Sequence, residues 1–366
     1  MRQLRINDLV STELRGVVSY ALGDLLQQEA SVGMTKLDLN ENLCIDAQLV
    51  RSIMRTVCSQ VDPNQYPEPH AGVAVAALSK YLDIDQSKLY VGNGSDDVLE
   101  RLARCFANKD STVLIVEPSF FMYGYFASLS GARRKSVRLR PSFELDVDAI
   151  LGAKEPSTSL LILCSPNNPT GNQFRQEDVK RILEEFDGLV AIDEAYADFG
   201  RYSTAKWTDN FENLVVLRSF SKAYGLAALR AGYAVSNPSV IEWLKKATPP
   251  FNVNAFTQKL VEISLKKSAR FKREIQRVLE QRAWLIKQLE TMDGVKPYPS
   301  DANFVLFRIM REDLTSSQVW TTLRHMKILV RDKGSDPLLQ NCIRVTVGTH
   351  KMNLEFLKAL KQILNQ

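Results

Sequence analysis

The chain has 366 residues, of which 45% are hydrophobic and 24% are charged, and its formal net charge is +5. This length allows two domains and a large buried core, and the composition is that of a globular protein. The small, dispersed excess of lysine and arginine gives no support for nucleic-acid binding.

The numbers and spacing of cysteines and histidines, and the apolar runs, exclude further classes of protein. The five cysteines have no CxxC spacing, and the three histidines are too scattered to form a ligand set. We therefore expect reduced thiols and no metal site. The N-terminus lacks the apolar core of a signal peptide, and no apolar run approaches the length of a membrane span. The sequence predicts a cytoplasmic protein without a membrane partner.

Residues 1–35 have weak periodicity and are interpreted as an N-terminal arm. From about residue 85 to residue 235, short apolar strands alternate with helices such as the one predicted at residues 176–186. This alternation indicates an α/β fold with a mostly parallel central sheet sandwiched by helices. The predicted strands lie at residues 88–91, 112–116, 160–164, 189–193 and 214–218.

The pattern changes after residue 247. Pro249 and Pro250 interrupt helix formation and indicate a hinge. A long amphipathic helix follows, then strands at residues 303–307 and 342–347 and a terminal helix at 354–364. We expect a smaller α+β domain here. The predicted division is an arm at residues 1–35 that forms part of the small domain, a large domain at 36–248 and the small C-terminal domain at 249–366.

Polar residues directly follow each predicted strand of the large domain, where open parallel sheets bind their ligands. After the first strand, a glycine turn leads into a helix at Ser95 and Asp96. The backbone N–H groups of such a turn can bind a phosphate. The alternative is that Ser95 or Asp96 only caps the helix.

The next three strand ends carry an aromatic ring, an amide and a carboxylate. Phe120 can stack on a planar ring or belong to the core. Asn168 can donate a hydrogen bond to a phenolic oxygen or form an Asx-turn. Asp193, followed by Tyr196, needs a cationic partner if buried, either a protonated pyridine nitrogen or an arginine.

The fifth strand end carries the most informative residue, Lys222. It lies between Ser219 and Arg230, just past an apolar strand, where partial desolvation lowers the pKa of the amine and makes it a nucleophile. The spacing resembles the Schiff-base lysine signature of class I pyridoxal-phosphate (PLP) aminotransferases. Together the five strand ends supply the groups that bind a phosphorylated pyridine aldehyde.

Nearly the whole chain resembles the histidinol-phosphate aminotransferase family of the fold-type-I PLP enzymes. The resemblance implies transamination between L-histidinol phosphate and 2-oxoglutarate in histidine biosynthesis, with PLP as cofactor. Its most specific segments are Tyr66-Pro-Glu-Pro69 and the two runs that contain Arg331 and Arg344. The other matching segments are residues 39–42, 165–171 and 301–305.

The family pattern also implies roles for individual residues. Lys222 would be the catalytic residue that binds PLP covalently. The implied cofactor-binding residues are Ser95, Asp96, Phe120, Asn168, Asp193, Tyr196, Ser219, Ser221 and Arg230, with Tyr66 contributed by the neighbouring subunit of a homodimer. The implied substrate-binding residues are Tyr20, Asn40, Arg331 and Arg344. Two arginines can bind a phosphate or a carboxylate bidentately, although either is a surface ion pair in the alternative interpretation.

Three other functions remain open at this stage. One is an aminotransferase for aromatic amino acids, and another is a PLP-dependent decarboxylase of the threonine-phosphate type. The third is a non-catalytic nucleotide-binding module, which would leave Lys222, Asp193 and Asn168 as coincidences and lacks a GxGxxG motif.

Overall fold

The computed structural model describes residues 33–365 together with Val10, Leu14 and Val17. The strands of this described part are β1 (Thr35–Lys36), β2 (Leu89–Gly92), β3 (Thr112–Glu117), β4 (Arg133–Arg138), β5 (Thr158–Cys164), β6 (Leu189–Asp193), β7 (Leu214–Ser219), β8 (Gly232–Ser236), β9 (Val295–Pro297), β10 (Phe304–Ile309), β11 (Ile328–Leu329), β12 (Arg331–Asp332) and β13 (Cys342–Thr346). The α-helices are α1 (Ala47–Gln60), α2 (Gly72–Leu82), α3 (Ser95–Phe106), α4 (Met122–Leu129), α5 (Val147–Gly152), α6 (Gln176–Glu185), α7 (Pro238–Lys246), α8 (Ala255–Lys266), α9 (Ser268–Glu290), α10 (Ser316–His325) and α11 (His350–Leu364). Short 3-10 turns lie at Pro69–Ala71, Gln86–Lys88, Ala197–Phe199, Ala205–Asp209, Ala227–Leu229 and Pro337–Leu339.

The central sheet has seven strands in the order β2-β8-β7-β6-β5-β3-β4. Strand β8 runs antiparallel to both of its neighbours, and all other adjacent strands are parallel. The predicted α/β class with a mostly parallel sheet is therefore confirmed. Because Cys164 pairs with Asp193, and Asp193 with Leu217, the carboxyl ends of β5, β6 and β7 lie level at one edge of the sheet.

Both faces of this sheet are covered, as the apolar strands predict. Alternate residues point to opposite faces. In β3, Val113 and Ile115 join a core formed with helices α3, α4 and α7, whereas Leu114 and Val116 join the larger core on the other face. Burial on both sides explains why strands β3, β5, β6 and β7 appear as continuous apolar runs.

Two strands of the sheet have no counterpart among the predicted ones. Strand β4 is an edge strand with the sequence RRKSVR, and its charged side chains stay at the surface. Such a run lacks the apolar signal of a buried strand, although charged edges are common in sheets. Strand β8 follows β7 without an intervening α-helix and turns back antiparallel. The alternation of strands and helices therefore does not reveal it.

The C-terminal part is a four-stranded antiparallel sheet in the order β12-β13-β10-β9, packed with helices α9, α10 and α11. The predicted strands at residues 303–307 and 342–347 correspond to β10 and β13. Leu37 joins the N-terminal segment to this part, because its N–H donates to Leu329 O and its carbonyl accepts from Thr346 N–H. The predicted hinge falls between α7 and α8, and α8 packs against α1 and α2. The domain division at residues 35/36 and 248/249 stays a prediction.

Helix length and polarity also bear on membrane association. In the part of the chain that the structure describes, no helix combines the length and apolarity needed to cross a bilayer.

Candidate active site

The start of helix α3 forms an anion cradle at the carboxyl end of β2. Gly94 is the N-cap with φ +96°, and no side chain of the described residues caps the helix, so the first backbone N–H groups stay available there. The caps considered from the sequence, Ser95 and Asp96, are instead the first helical residues. A Cβ on Gly94 would lie 2.5 Å from Nη2 of Arg230, and one on Gly232 would lie 2.3 Å from the Ser95 nitrogen. Only glycine permits this close approach at either position.

Arg230 connects this anion cradle to the loop after β7, which contains Lys222. Its Nη2 atom lies 3.1 Å from Oδ2 of Asp96, and its Nη1 atom lies 3.4 Å from Oγ of Ser221. Ser219 is buried beside them and accepts a hydrogen bond from the Ser221 N–H. The structure thus unites two hydroxyl groups, a guanidinium group and uncapped N–H groups, which is the donor set of a phosphate site.

Asp193 is a buried carboxylate at the end of β6, with 4% of its surface exposed. Oδ2 accepts a hydrogen bond of 2.7 Å from the Tyr123 hydroxyl, and Oδ1 accepts one of 3.0 Å from Ala195 N–H. Burial raises the pKa of Asp193 to about 6, against the opposing effect of the Tyr123 hydrogen bond. Within residues 33–365 no lysine or arginine forms an ion pair with it. The arginine salt bridge considered from the sequence is therefore absent from the described residues.

Tyr123 is a functional candidate that sequence reasoning missed. It lies in the first turn of α4, is fully buried and donates a hydrogen bond from its hydroxyl to Asp193. In the sequence it is one of several aromatic residues near Phe120, and nothing in that run distinguishes a core ring from one with a polar partner. Its role depends on how α4 packs over the sheet.

Lys222 lies partly buried in the loop after β7. Its Nζ atom donates a hydrogen bond of 2.9 Å to Leu39 O and lies 5.8 Å from the ring centroid of Tyr196. Desolvation lowers the pKa of Lys222 to about 8, and the positive charge of Arg344 acts in the same direction. The predicted desolvation of this amine is therefore present in the structure, and the lowered pKa makes it a better nucleophile.

Tyr196 and Asn168 lie near this amine and are linked to the N-terminal segment and to β13. Asn40 donates a hydrogen bond of 3.0 Å from Nδ2 to the Tyr196 hydroxyl. Arg344 donates from Nη1 to Oδ1 of Asn168 at 2.6 Å and from Nη2 to the backbone oxygen of Asp38 at 2.5 Å. Because Oδ1 of Asn168 accepts from Arg344, the Nδ2 group is oriented as a donor for another ligand.

The two predicted substrate arginines are neighbours on adjacent strands. Arg331 on β12 pairs in register with Arg344 on β13, so both side chains leave the same face of the sheet. Arg331 lies 3.7 Å from Oδ2 of Asp38, whose pKa is raised by burial and lowered by Arg331. Arg344 is only 6% exposed, which excludes the surface ion pair considered from the sequence.

The remaining predicted residues differ in position. Phe120 is partly buried and packs edge-to-face on Tyr123, with ring centroids 5.6 Å apart. Tyr66 is 83% exposed and stacks on Phe251, which is not one of the predicted site residues. Tyr20 lies outside the described residues.

The chain is similar to known proteins over most of its length. The aminotransferase class I and II family matches residues 33–360. A relative from Flavobacterium johnsoniae named histidinol-phosphate aminotransferase is 39% identical over 366 residues, which cover 99% of each chain.

Two solved structures share the fold. The histidinol-phosphate aminotransferase from Sinorhizobium meliloti in complex with pyridoxal-5'-phosphate has a TM-score of 0.88 and 21% identity, with 97% of each chain covered. The L-threonine-O-3-phosphate decarboxylase from Porphyromonas gingivalis has a TM-score of 0.79 and 25% identity, with 90% of this chain and 99% of that chain covered. Both neighbours have names that refer to phosphorylated substrates.

Proposed function

The chain belongs to the aminotransferase class I and II family, and from this membership we propose that it transfers the amino group of L-histidinol phosphate to 2-oxoglutarate. The products are imidazole-acetol phosphate and L-glutamate, and the reaction belongs to histidine biosynthesis. The observation that carries this substrate assignment is the pair Arg331 and Arg344, side by side on adjacent strands, with the charge of Arg344 acting on Lys222. The full-length relative at 39% identity supports it.

The cofactor is PLP, and the fold is that of fold-type-I PLP enzymes. The residues present fit it: a buried carboxylate that forms no ion pair in the described chain, an anion cradle and a desolvated lysine are the three partners that PLP needs. We assign the ring nitrogen to Asp193, the phosphate to the cradle around Arg230 and the phenolic oxygen to Asn168 and Tyr196. Phe120 covers the ring face. When bound, PLP supplies an electron sink for the Cα carbanion of the amino donor.

Lys222 is assigned two tasks, covalent attachment of the cofactor and proton transfer. For the second task, Nζ accepts the proton that leaves Cα of the amino donor. With a pKa of about 8, about a tenth of the amine is neutral at pH 7, against about one part in three thousand at the ordinary value of 10.5. The desolvated environment therefore favours general-base catalysis at physiological pH.

The arginine pair is assigned to the anionic ends of both substrates. Arg344 and Arg331 would bind the phosphate of histidinol phosphate in one half-reaction and a carboxylate of 2-oxoglutarate in the other. The contact of Arg344 with Asn168 links this anion site to the cofactor ring. Asn40, which donates a hydrogen bond to the Tyr196 hydroxyl, would bind the substrate beside the phenolic oxygen of the cofactor. Tyr20 stays a predicted substrate residue of the arm.

A screen of amino donors tests this function. We expect histidinol phosphate to convert the absorbance spectrum of the bound cofactor with a kcat/KM about 100-fold above that of phenylalanine or tyrosine, because the arginines prefer a phosphate. Stopped-flow absorbance of single half-reactions gives these values directly.

The same screen distinguishes the alternatives. An aromatic amino acid as the best donor would replace histidinol phosphate in the assignment. Release of carbon dioxide from phosphothreonine would favour the decarboxylase. The matched variant Arg344→Ala should lose affinity for both histidinol phosphate and 2-oxoglutarate, and unchanged affinity for either would refute a shared anion site.

We propose a homodimer in which Tyr66 reaches the cofactor phosphate of the neighbouring subunit. The exposed Tyr66 ring rests on Phe251 with centroids 4.7 Å apart, and such paired aromatics suit a surface covered by a partner. Mixing inactive Lys222→Ala subunits with Tyr66→Ala subunits should then restore about a quarter of the wild-type activity, because half of the dimers are mixed and each has one complete site.

The control for this mixing experiment uses two residues of the same subunit's site. Lys222→Ala mixed with Arg230→Ala should restore no activity. Absence of restoration with Tyr66→Ala, in subunits shown to exchange, would refute the contribution across the interface.

A further inference from the structure

The face of the C-terminal sheet that carries the arginine pair has a third cation, Lys333. The backbone N–H of Lys333 donates a hydrogen bond of 2.9 Å to the backbone oxygen of Cys342, which continues the β12–β13 ladder by one residue. Lys333 follows Arg331 by two positions, so their side chains leave the same face of the strand. Three cations, Arg331, Lys333 and Arg344, therefore form one patch.

Lys333 forms no ion pair within residues 33–365, because the carboxylates near it, including Asp332 whose charge acts on it, have other hydrogen-bond partners. Oδ1 of Asp332 accepts hydrogen bonds of 2.8 Å from the Ser316 hydroxyl and 2.9 Å from Gly334 N–H. Asp336 binds Arg138, with 3.0 Å between Oδ2 and Nη1. An ammonium group without a counter-ion in a partly buried place is costly in free energy, and an anionic ligand would offset that cost.

Lys333 lies close to two residues beside the proposed cofactor ring, on the wall of a cavity that Glu117 and Asp336 also line. It lines a cavity of about 640 Å³ together with Phe120 and with Pro169, the residue after Asn168. This volume is in the range of small-molecule sites. Desolvation lowers the pKa of Lys333 to about 8, and the charges of Arg344 and Arg331 add to the effect, so the three cations lie close enough to repel one another.

We propose that Lys333 is a specificity-determining residue, which makes the site select a doubly charged phosphate monoester over a singly charged carboxylate as the anionic end of the amino donor. This inference rests on the proposed function, in which the arginine pair binds that end. Asp38 lies 3.7 Å from Arg331 and offsets one positive charge. The arginines alone then leave one charge, enough for a carboxylate, and Lys333 supplies the second charge that a phosphate dianion matches.

The test compares holoenzymes that carry Lys333→Met, Lys333→Arg and, as the matched control, Lys296→Met. Lys296 is an exposed lysine of β9, at the opposite edge of the same sheet. For Lys333→Met we expect kcat/KM for histidinol phosphate to fall about 30-fold, mainly through KM, and that for glutamate to change by less than about threefold. Lys333→Arg should retain most of the preference, and Lys296→Met should match the wild type.

A second measurement does not depend on the natural donor. Calorimetric titration of the holoenzymes with inorganic phosphate should show about tenfold weaker binding in Lys333→Met than in the wild type. Equal losses for histidinol phosphate and glutamate, or unchanged phosphate binding, would overturn the role of Lys333. Failure of the proposed function appears differently, as a wild-type enzyme that does not convert histidinol phosphate at all.

Discussion

Replacing Lys222 by alanine is expected to abolish transamination, with kcat lowered by about a thousandfold or more. The variant loses the amine that we assign both to the attachment of PLP and to the acceptance of the Cα proton. Within the described residues, the other lysine with a lowered pKa, Lys333, lines the cavity beside Phe120 and has no contact with the Asp193 carboxylate. It is therefore placed to bind an anion rather than to replace the lost base.

Two measurements and one control variant check this expectation. Wild-type holoenzyme reduced with borohydride should carry the cofactor on Lys222 in a peptide map, and the variant should carry none. Lys246→Ala, at an exposed lysine at the end of α7, should behave as the wild type. The melting temperature of cofactor-free Lys222→Ala should equal or exceed that of the wild type, because a desolvated cation is removed. Turnover retained in this variant would refute the assigned role.

Replacing Asp193 by asparagine should lower kcat about a hundredfold or more and at the same time stabilise the cofactor-free protein at neutral pH. Activity falls because a neutral amide cannot hold the pyridine nitrogen protonated. Stability rises because a buried charge disappears. The pKa of Asp193 is raised from 3.8 to about 6 in the folded protein, so between these values the folded state binds more protons than the unfolded state. Stability therefore falls as pH rises through this window, by about 3 kcal/mol at most.

Thermal unfolding of cofactor-free protein at pH 4 and pH 7 measures this effect. The difference in unfolding free energy between Asp193→Asn and the wild type should be larger at pH 7 than at pH 4. A difference that does not change with pH would contradict the buried-charge explanation. A kcat that stays close to the wild-type value in Asp193→Asn would contradict the pairing with the ring.

Tyr123→Phe perturbs the same Asp193 carboxylate more mildly than Asp193→Asn does. Without the Tyr123 hydrogen bond, the pKa of Asp193 should rise above about 6, because that hydrogen bond lowers it in the wild type. The acid limb of the kcat profile should then shift to higher pH. Tyr125→Phe, on the same helix, should leave the profile unchanged. A merely structural role of Tyr123 would change stability without moving the acid limb.

The sequence alone was sufficient to locate the ends of the five predicted strands and to identify the polar residues that follow them. Buried parallel strands are continuous apolar runs, so their ends can be located within one or two residues. Polar residues that repeat just beyond those ends must gather at one edge of the sheet. Lys222, Asp193 and Asn168 were found in this way.

Contacts between distant segments were decided only by the tertiary structure. The partner of Asp193 is Tyr123, seventy residues earlier in the chain, and the partner of Tyr196 is Asn40. These pairs depend on how a helix packs over the sheet and on where the N-terminal segment crosses β13. Neither feature leaves a periodic signal in the sequence. The charged strand β4 and the antiparallel strand β8 were missed for the same reason.

The sequence by itself predicted the chemistry of the site, because the reactive residue types lie at fixed offsets from strands that burial makes recognisable. The tertiary structure decided the electrostatic environment of those residues, which means the charges near them and their burial. The register of β12 against β13 sets Arg331 beside Arg344 and adds Lys333 to the same face. Packing buries Asp193 and partly buries Lys333, and neither forms an ion pair in the described chain. Electrostatic free energies depend on distance and burial, and both are properties of the folded chain.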